Sequence, residues 1–445
     1  MALGGVFMTD SDGNMGSTST AANVAVSGLL FDISGQENFW TMGAGALYKE
    51  KLDGTIIELT SLDQCADYGI FPYTEGDEDT DLLKGIPYYH INHFFKINQG
   101  TGRLFVMFAD CSENWNAIQN MQHATHGIMY QLGVWTEQNL WEERDPDADY
   151  YAVNLISEIG EQCATLARDN APLSVVLSPN VATVKTASLP EAQIDLQRIP
   201  SVLSTSATRR YVTVLLSQEV NQEVTTMQMA LESHTPVGCV GAAIGTIAAL
   251  AVHQSLAWVQ ADDTLGLSDL FASIEFGFGD TNVDGDGNFV STLKYTSLTK
   301  AQVDTFDDKG YVFLCKYSGR ENGTYFSKDH TCSSGDYKTI ARNRTMNKTR
   351  RLVRNALLPY VSSPLRVNPS NGRLSDATIA TFTNIVSDIL ATMAEEEISG
   401  YSVQIDATQN VLKTDALYIG YSVVPVGTAD SIFVTQSLAL STSNE

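Results

Sequence analysis

Apolar and polar positions do not settle into a pattern at the start of the chain. Residues 8–22 are small, polar and turn-forming, so residues 1–22 are expected to form a terminal arm. From Val24 the text changes to VAVSGLLFDIS, a short strand. GTIIELT over 54–60 predicts another, followed by a helix that Ser61 caps and Gly69 ends. His90 and His93 fall in what reads as a further strand, which would point them to opposite faces.

A regular βα alternation follows. The spacing predicts strands over 102–109, 128–135, 173–177 and 210–216, with helices over 112–126, 150–168 and 219–232. Val237 to Val259 is rich in Gly and Ala. It reads as a buried helix packed closely through Gly238, Gly241 and Gly245 rather than a membrane span, because it holds His253 and Gln254 and has no basic flank. Strands alternating with helices predict an α/β fold: a mixed, mostly parallel core sheet with flanking helices. Residues 261–335 break the rhythm with a loop-rich stretch and a hairpin turning at Glu321-Asn322-Gly323. A basic helix then runs to Pro359, an amphipathic helix spans 376–396, and strands are expected over 401–406, 416–424 and 431–440. The domain reading is an arm (1–22), an α/β body (23–335), a C-terminal α+β domain (336–424) and a C-terminal arm (425–445).

Composition narrows the function. The chain has 445 residues, 43% of them hydrophobic, enough for a sizeable core. Its formal charge, 27 − 52 = −25, excludes a coat that holds nucleic acid by overall positive charge. No basic start followed by a long apolar run marks a secretory signal, so the three Asn-x-Thr sequons (Asn322, Asn343, Asn347) carry little weight. The six cysteines form no CxxC pair and read as reduced thiols; Cys315 and Cys332 alone invite a test for a bridge.

Candidate chemistry is thin. His90, His93, His123 and His126 cluster in sequence without ligand geometry. The acidic run at 75–81 reads as a solvated loop. NVDGDG over 282–287 imitates half a calcium loop, but the twelfth position is Leu293. There is no GxxxxGK[ST], GxSxG or HExxH, and no GxGxxG follows a strand, so no catalytic residue, metal or cofactor is assigned. Two features ask for a partner. Lys338 to Arg354 holds seven basic residues and no acid, with Arg344, Lys348 and Arg351 on one helical face. That face suits an acidic protein surface better than nucleic acid, since no aromatics interleave it; it can equally be a solvated face with internal salt bridges. The second feature is the uncharged run 431–444, in which Ile432, Val434, Leu438 and Leu440 alternate with Phe433 and Thr435. Either it is central in its own sheet or it completes a neighbour's.

Several of these pieces, in order, resemble the sheath subunits of contractile phage tails and related bacterial contractile injection systems. The resemblance is densest over 205–435. It is carried by GYVFLCKYSGRENGTYFSKDHTCSSGDYKTIARNRTMNKTRRLVRNALLPYVSSPLRVNPSNGRLS, an NPxxGxLS loop, a helix, Glu397-x-x-Gly400, and paired strands ending in Val424-Pro425-Val426-Gly427. It implies a non-enzymatic subunit that stacks with itself as sixfold rings around an inner tube, meets baseplate and terminator proteins, and shortens without nucleotide. Such a subunit would be assembled in the bacterial cytoplasm and work in a virion tail or extracellular particle, without nucleic acid and without membrane insertion. It also implies arms that add strands to neighbours' sheets. Here the donated strand would be Ile432, Phe433, Val434, Thr435, Leu438 and Leu440, and the acceptor sheet Val403, Ile405, Leu417, Ile419, Tyr421 and Val423. For the tube-attaching helix the candidates are 376–396 and, preferred, the basic face of Arg344, Lys348 and Arg351. The competing readings are a calcium-binding surface or assembly protein and an unrecognised hydrolase.

Overall fold

The computed structural model describes residues 25–34, 52–72, 82–98, 102–140, 142–143, 151–152, 154–180, 200–216, 218–219, 237–271, 274–276, 293–295, 298–320, 323–436 and 438. In chain order the body comprises β1 (Ser27–Asp32), β2 (Ile56–Leu59), α1 (Leu82–Ile97), β3 (Leu104–Ala109), α2 (Asn116–Ala124), β4 (Gln131–Asn139), β5 (Glu142–Glu143), β6 (Tyr151–Ala152), α3 (Asn154–Arg168), β7 (Ser174–Asn180) and β8 (Val212–Val214). After these come β9 (Gln218–Glu219), α4 (Val240–Ala249), α5 (Val259–Leu265), α6 (Leu267–Leu270), β10 (Ile274–Phe276), β11 (Leu293–Lys294), α7 (Lys300–Asp308), β12 (Leu314–Cys315) and β13 (Tyr325–Phe326).

Six strands form the main sheet in the order β2-β3-β1-β4-β7-β8. β1 pairs in parallel with β3 and β4, β4 with β7, and β7 with β8, while β2 runs antiparallel to β3. The mixed, mostly parallel sheet read from the βα rhythm is present. Continuous apolar runs form its strands because both faces are covered. Leu30, Met107, Leu132 and Leu177 point to one side, where they meet Ile118 and Met121 of α2 and Ile156 and Ile159 of α3. Leu29, Phe31, Val106 and Val176 point to the other, against Tyr89 and Phe94 of α1 and Ile244 of α4.

Helix α4 is buried from Val240 to Ala248. Its glycines permit this: a Cβ on Gly241 would lie 2.1 Å from the His90 carbonyl oxygen, and one on Gly245 would lie 3.1 Å from the Phe94 Cα. No helix among the described residues is long and apolar enough to cross a membrane.

The structure corrects some local readings. His90 and His93 sit in helix α1, not a strand, and share a face across one turn. Most of its described side chains are buried, and only Tyr88, Asn92 and Lys96, four residues apart, face outward, the period of a helix rather than a strand. Glu219 lies in β9 rather than opening a helix. The helix expected over 112–126 begins at Asn116, and His126 (φ 56°) and Gly127 (φ 72°) turn left-handed after it. The hairpin is formed by β12 and β13, antiparallel; Glu321 and Asn322 of its turn lie outside the described residues, as do residues 1–22, 75–81, 282–287 and Leu440. No disulfide joins Cys315 and Cys332, and burial raises both thiols to about 12.

Candidate assembly surface

In a parallel α/β sheet, ligand chemistry collects at the carboxyl ends of the strands. Here that crest is tied off. Asp32, at the end of β1, accepts the Ser34 N–H (3.0 Å) and hydroxyl (2.7 Å), the Cys111 N–H (3.0 Å), the Thr136 hydroxyl (2.5 Å) and the Gln138 side-chain amide (2.8 Å). A carboxylate offers about four lone-pair sites, so Asp32 is saturated by its own chain and stitches β1, β3 and β4 together. The histidines are equally internal. Burial pushes His90 and His93 down to about 3, and the described residues contain no group of side chains arranged to hold a metal ion.

The C-terminal region is built differently. It comprises α8 (Ile340–Leu357), a short 3-10 turn (Leu358–Tyr360), α9 (Asp376–Ala391), β14 (Ile398–Gln404), α10 (Val411–Thr414) and β15 (Gly420–Pro425). The Thr339 hydroxyl accepts the Arg342 N–H and caps α8; Ser375 does the same for Thr378 of α9. Val353, Val386 and Leu390 form a small core against Val403, Ile419 and Tyr421. Met393, Ile398 and Val423 form a second beside Met346 and Leu352.

The basic face of α8 turns inward, which corrects the expectation that it meets a partner. Arg344 is 1% exposed and donates from its two terminal nitrogens to the carbonyls of Ala251 (3.2 Å) and Leu250 (3.0 Å). The Lys348 side chain is 2% exposed and its Nζ lies 2.7 Å from both carboxylate oxygens of Glu397. Arg351 donates to the Met129 (2.5 Å) and Pro172 (2.6 Å) carbonyls, its guanidinium 4.2 Å from the centre of the Tyr130 ring. The body presents strand-start and loop carbonyls here, and cations satisfy them. Burial lowers Arg344 and Arg351 to about 10. Asn343 and Asn347, the two described sequon asparagines, are buried on the same helix. Sequence reasoning missed Glu397 as the partner of Lys348; only its place in the run Glu395-Glu396-Glu397 hinted at it.

The expected acceptor sheet exists as a pair. β14 and β15 run antiparallel, with Val403 opposite Tyr421 and Tyr401 opposite Val423. Ile405, Leu417 and Ile419 are half-buried just beyond the strand ends rather than within them. After Pro425 the chain leaves the sheet. The described residues 431–436 and 438 form no strand in their own chain. No backbone hydrogen bond joins 426–436 to the other described residues. Ile432, Phe433, Val434 and Leu438 are 81–105% exposed, and Thr435 is exposed beside them. Thus, over its described residues, this segment is not a central strand of its own sheet.

Residues 336–443 match the family model described as DUF2586, C-terminal domain. No curated protein matches the sequence. Among solved structures, the helical sheath of the anti-feeding prophage in its contracted state is similar at a TM-score of 0.53 and 13% identity, covering 98% of this chain and 99% of that one. A chain of the anti-feeding prophage baseplate gives 0.54 and 14%, covering 99% and 100%. The sheath complex of an extracellular contractile injection system, PVC, in its contracted state gives 0.53 and 12%, covering 99% and 98%. Across nearly its whole length, this chain has the fold of contractile sheath proteins.

Proposed function

We propose that this chain is the structural subunit of a contractile sheath. In this reading it stacks as six-membered rings around an inner tube and shortens without nucleotide to drive the tube through a target envelope. Copies assemble in a bacterial cytoplasm into a phage-like tail or injection particle, bounded by baseplate and terminator proteins. The body is 23–335, the C-terminal domain 336–424, and the arms are 1–22 and 425–445.

One observation carries the proposal: an uncharged, apolar C-terminal segment stands free of its own chain next to a sheet of only two strands. A two-stranded sheet is marginal alone, and open edges invite added strands. Donation of Ile432, Phe433, Val434, Thr435, Leu438 and Leu440 to the β14–β15 sheet of another copy would answer both needs by β-augmentation. With Arg344, Lys348 and Arg351 turned inward, the exposed side of α9, which includes Ala377, Ala380, Asn384 and Asp388, is the helix face left for the tube.

The test is assembly of the purified chain, viewed by negative-stain microscopy. Full-length protein is expected to form tubes. A chain ending at Pro425 should keep its melting temperature and form none. Tubes from the truncated chain would refute arm donation; monodisperse full-length monomers at high concentration would refute the sheath reading.

A further inference from the structure

The seam between α8 and the body encloses a cavity of about 10 Å³, lined by Gln131, Ser174, Arg210, Thr213, Asn343 and Arg344 among other residues. These six are all buried. The seam is polar by construction. The Asn343 side-chain amide donates to the Ser174 hydroxyl at 2.9 Å, and that of Asn347 donates to the same oxygen at 3.3 Å. Ser174 therefore accepts twice and keeps its own proton to give. Two further groups on α8 are incompletely paired. The Asn343 side-chain oxygen and the Arg344 Nε are both buried without a hydrogen-bond partner, and both residues line the cavity. Each belongs to a residue that is 1% exposed. A buried donor and a buried acceptor left unmade on residues that line one cavity are costly, and native interiors rarely tolerate them.

We propose that this cavity is a binding site for one water molecule, which accepts from Arg344 Nε and donates to the Asn343 side-chain oxygen, with the Ser174 hydroxyl as its third partner. The inference is independent of the sheath reading. Size and chemistry agree on the ligand. A buried water needs about 10–15 Å³ by this measure and 2–4 polar partners, which the site just supplies. A halide ion is larger, and the Arg344 charge already lies in the favourable field of Asp329 and Glu397, so a neutral ligand suffices. Such a water would join the unit matched at 336–443 to the start of β7, a bridge across the seam rather than a contact within either side.

The site is tested on the full chain, as a subunit or in an assembled tube. A structure that shows ordered solvent should place one peak about 2.7–3.2 Å from Arg344 Nε, Asn343 Oδ1 and Ser174 Oγ. An empty cavity overturns the proposal, and so does a peak that bromide replaces. Oxygen-17 relaxation dispersion counts long-lived internal waters without a refined structure. Asn343→Leu, which puts methyl groups into the cavity, should show one such water fewer than the parent chain. An equal count in both would also overturn it.

Discussion

Lys348 and Glu397 meet at 2.7 Å where the lysine side chain is almost fully enclosed. Removing one charge strands the other, a loss of about 3–5 kcal/mol for a buried pair. Lys348→Ala is expected to lower stability by that order, read as a fall in the urea midpoint. Lys348→Met combined with Glu397→Leu should recover most of it, because both charges leave together. Asp262 gives a pH signature. Its carboxylate accepts the Phe326 N–H at 3.2 Å, yet burial raises it to about 8. Below about pH 4 both folded and unfolded chains hold the proton. Between pH 4 and 8 only the unfolded chain releases it, so folding stability declines as pH rises through that window. Asp262→Asn is therefore expected to gain on the parent chain by up to about 1.4 kcal/mol per pH unit from pH 4 to 8, then hold level. A constant difference across that range would contradict the assignment. None of this was legible beforehand: the basic cluster was plain in the sequence, but a helix with cations on several sides does not say which side faces the body.

The helices show where periodicity succeeds and where it fails. Strands over 102–109 and 173–177 were readable because a parallel sheet covered on both faces leaves unbroken apolar runs. The same cover obscured α1, most of whose described side chains are buried; its one outward stripe, half-buried Tyr88 and Asn92 and exposed Lys96 at i, i+4 and i+8, is a helical period that the strand reading passed over. Helix α4 was readable from its glycines, and its packing makes a sharp prediction. A methyl group at Gly241 would collide with the His90 backbone. Gly241→Ala is expected to cost at least the upper end of the about 1–3 kcal/mol typical of overpacking, measured by thermal or urea unfolding. Ala242→Gly on the same helix is a control for helix propensity, at about 1 kcal/mol.

At the scale of the whole molecule, charge and the free C-terminal segment act together. Cations on α8 are turned inward within a chain whose formal charge is −25, so the exterior is more acidic than the arithmetic suggests. Copies brought into contact repel one another, and salt relieves this: the screening length falls from about 30 Å at 0.01 M to about 8 Å at 0.15 M. Self-association followed by light scattering should accelerate over that range; a slower rate at higher salt would mean that opposite charges drive it. The α/β fold and the uncharged tail were legible because both are patterns of apolar residues. The inward turn of Arg344, Lys348 and Arg351 was not, because it depends on carbonyls at residues 129, 172, 250 and 251 and on the Glu397 carboxylate, all distant in sequence.

Phe433 and its neighbours carry a further consequence for a newly made copy that meets no other. Residues 431–436 and 438 are an exposed, uncharged thread in water, the kind of sequence that chaperones grip and proteases trim. Solitary molecules should be cleared quickly and gathered ones spared, so that abundance in the cell tracks joining rather than synthesis. A label inserted within 431–436 would sit on that thread, whereas one placed elsewhere on the exterior would leave it free.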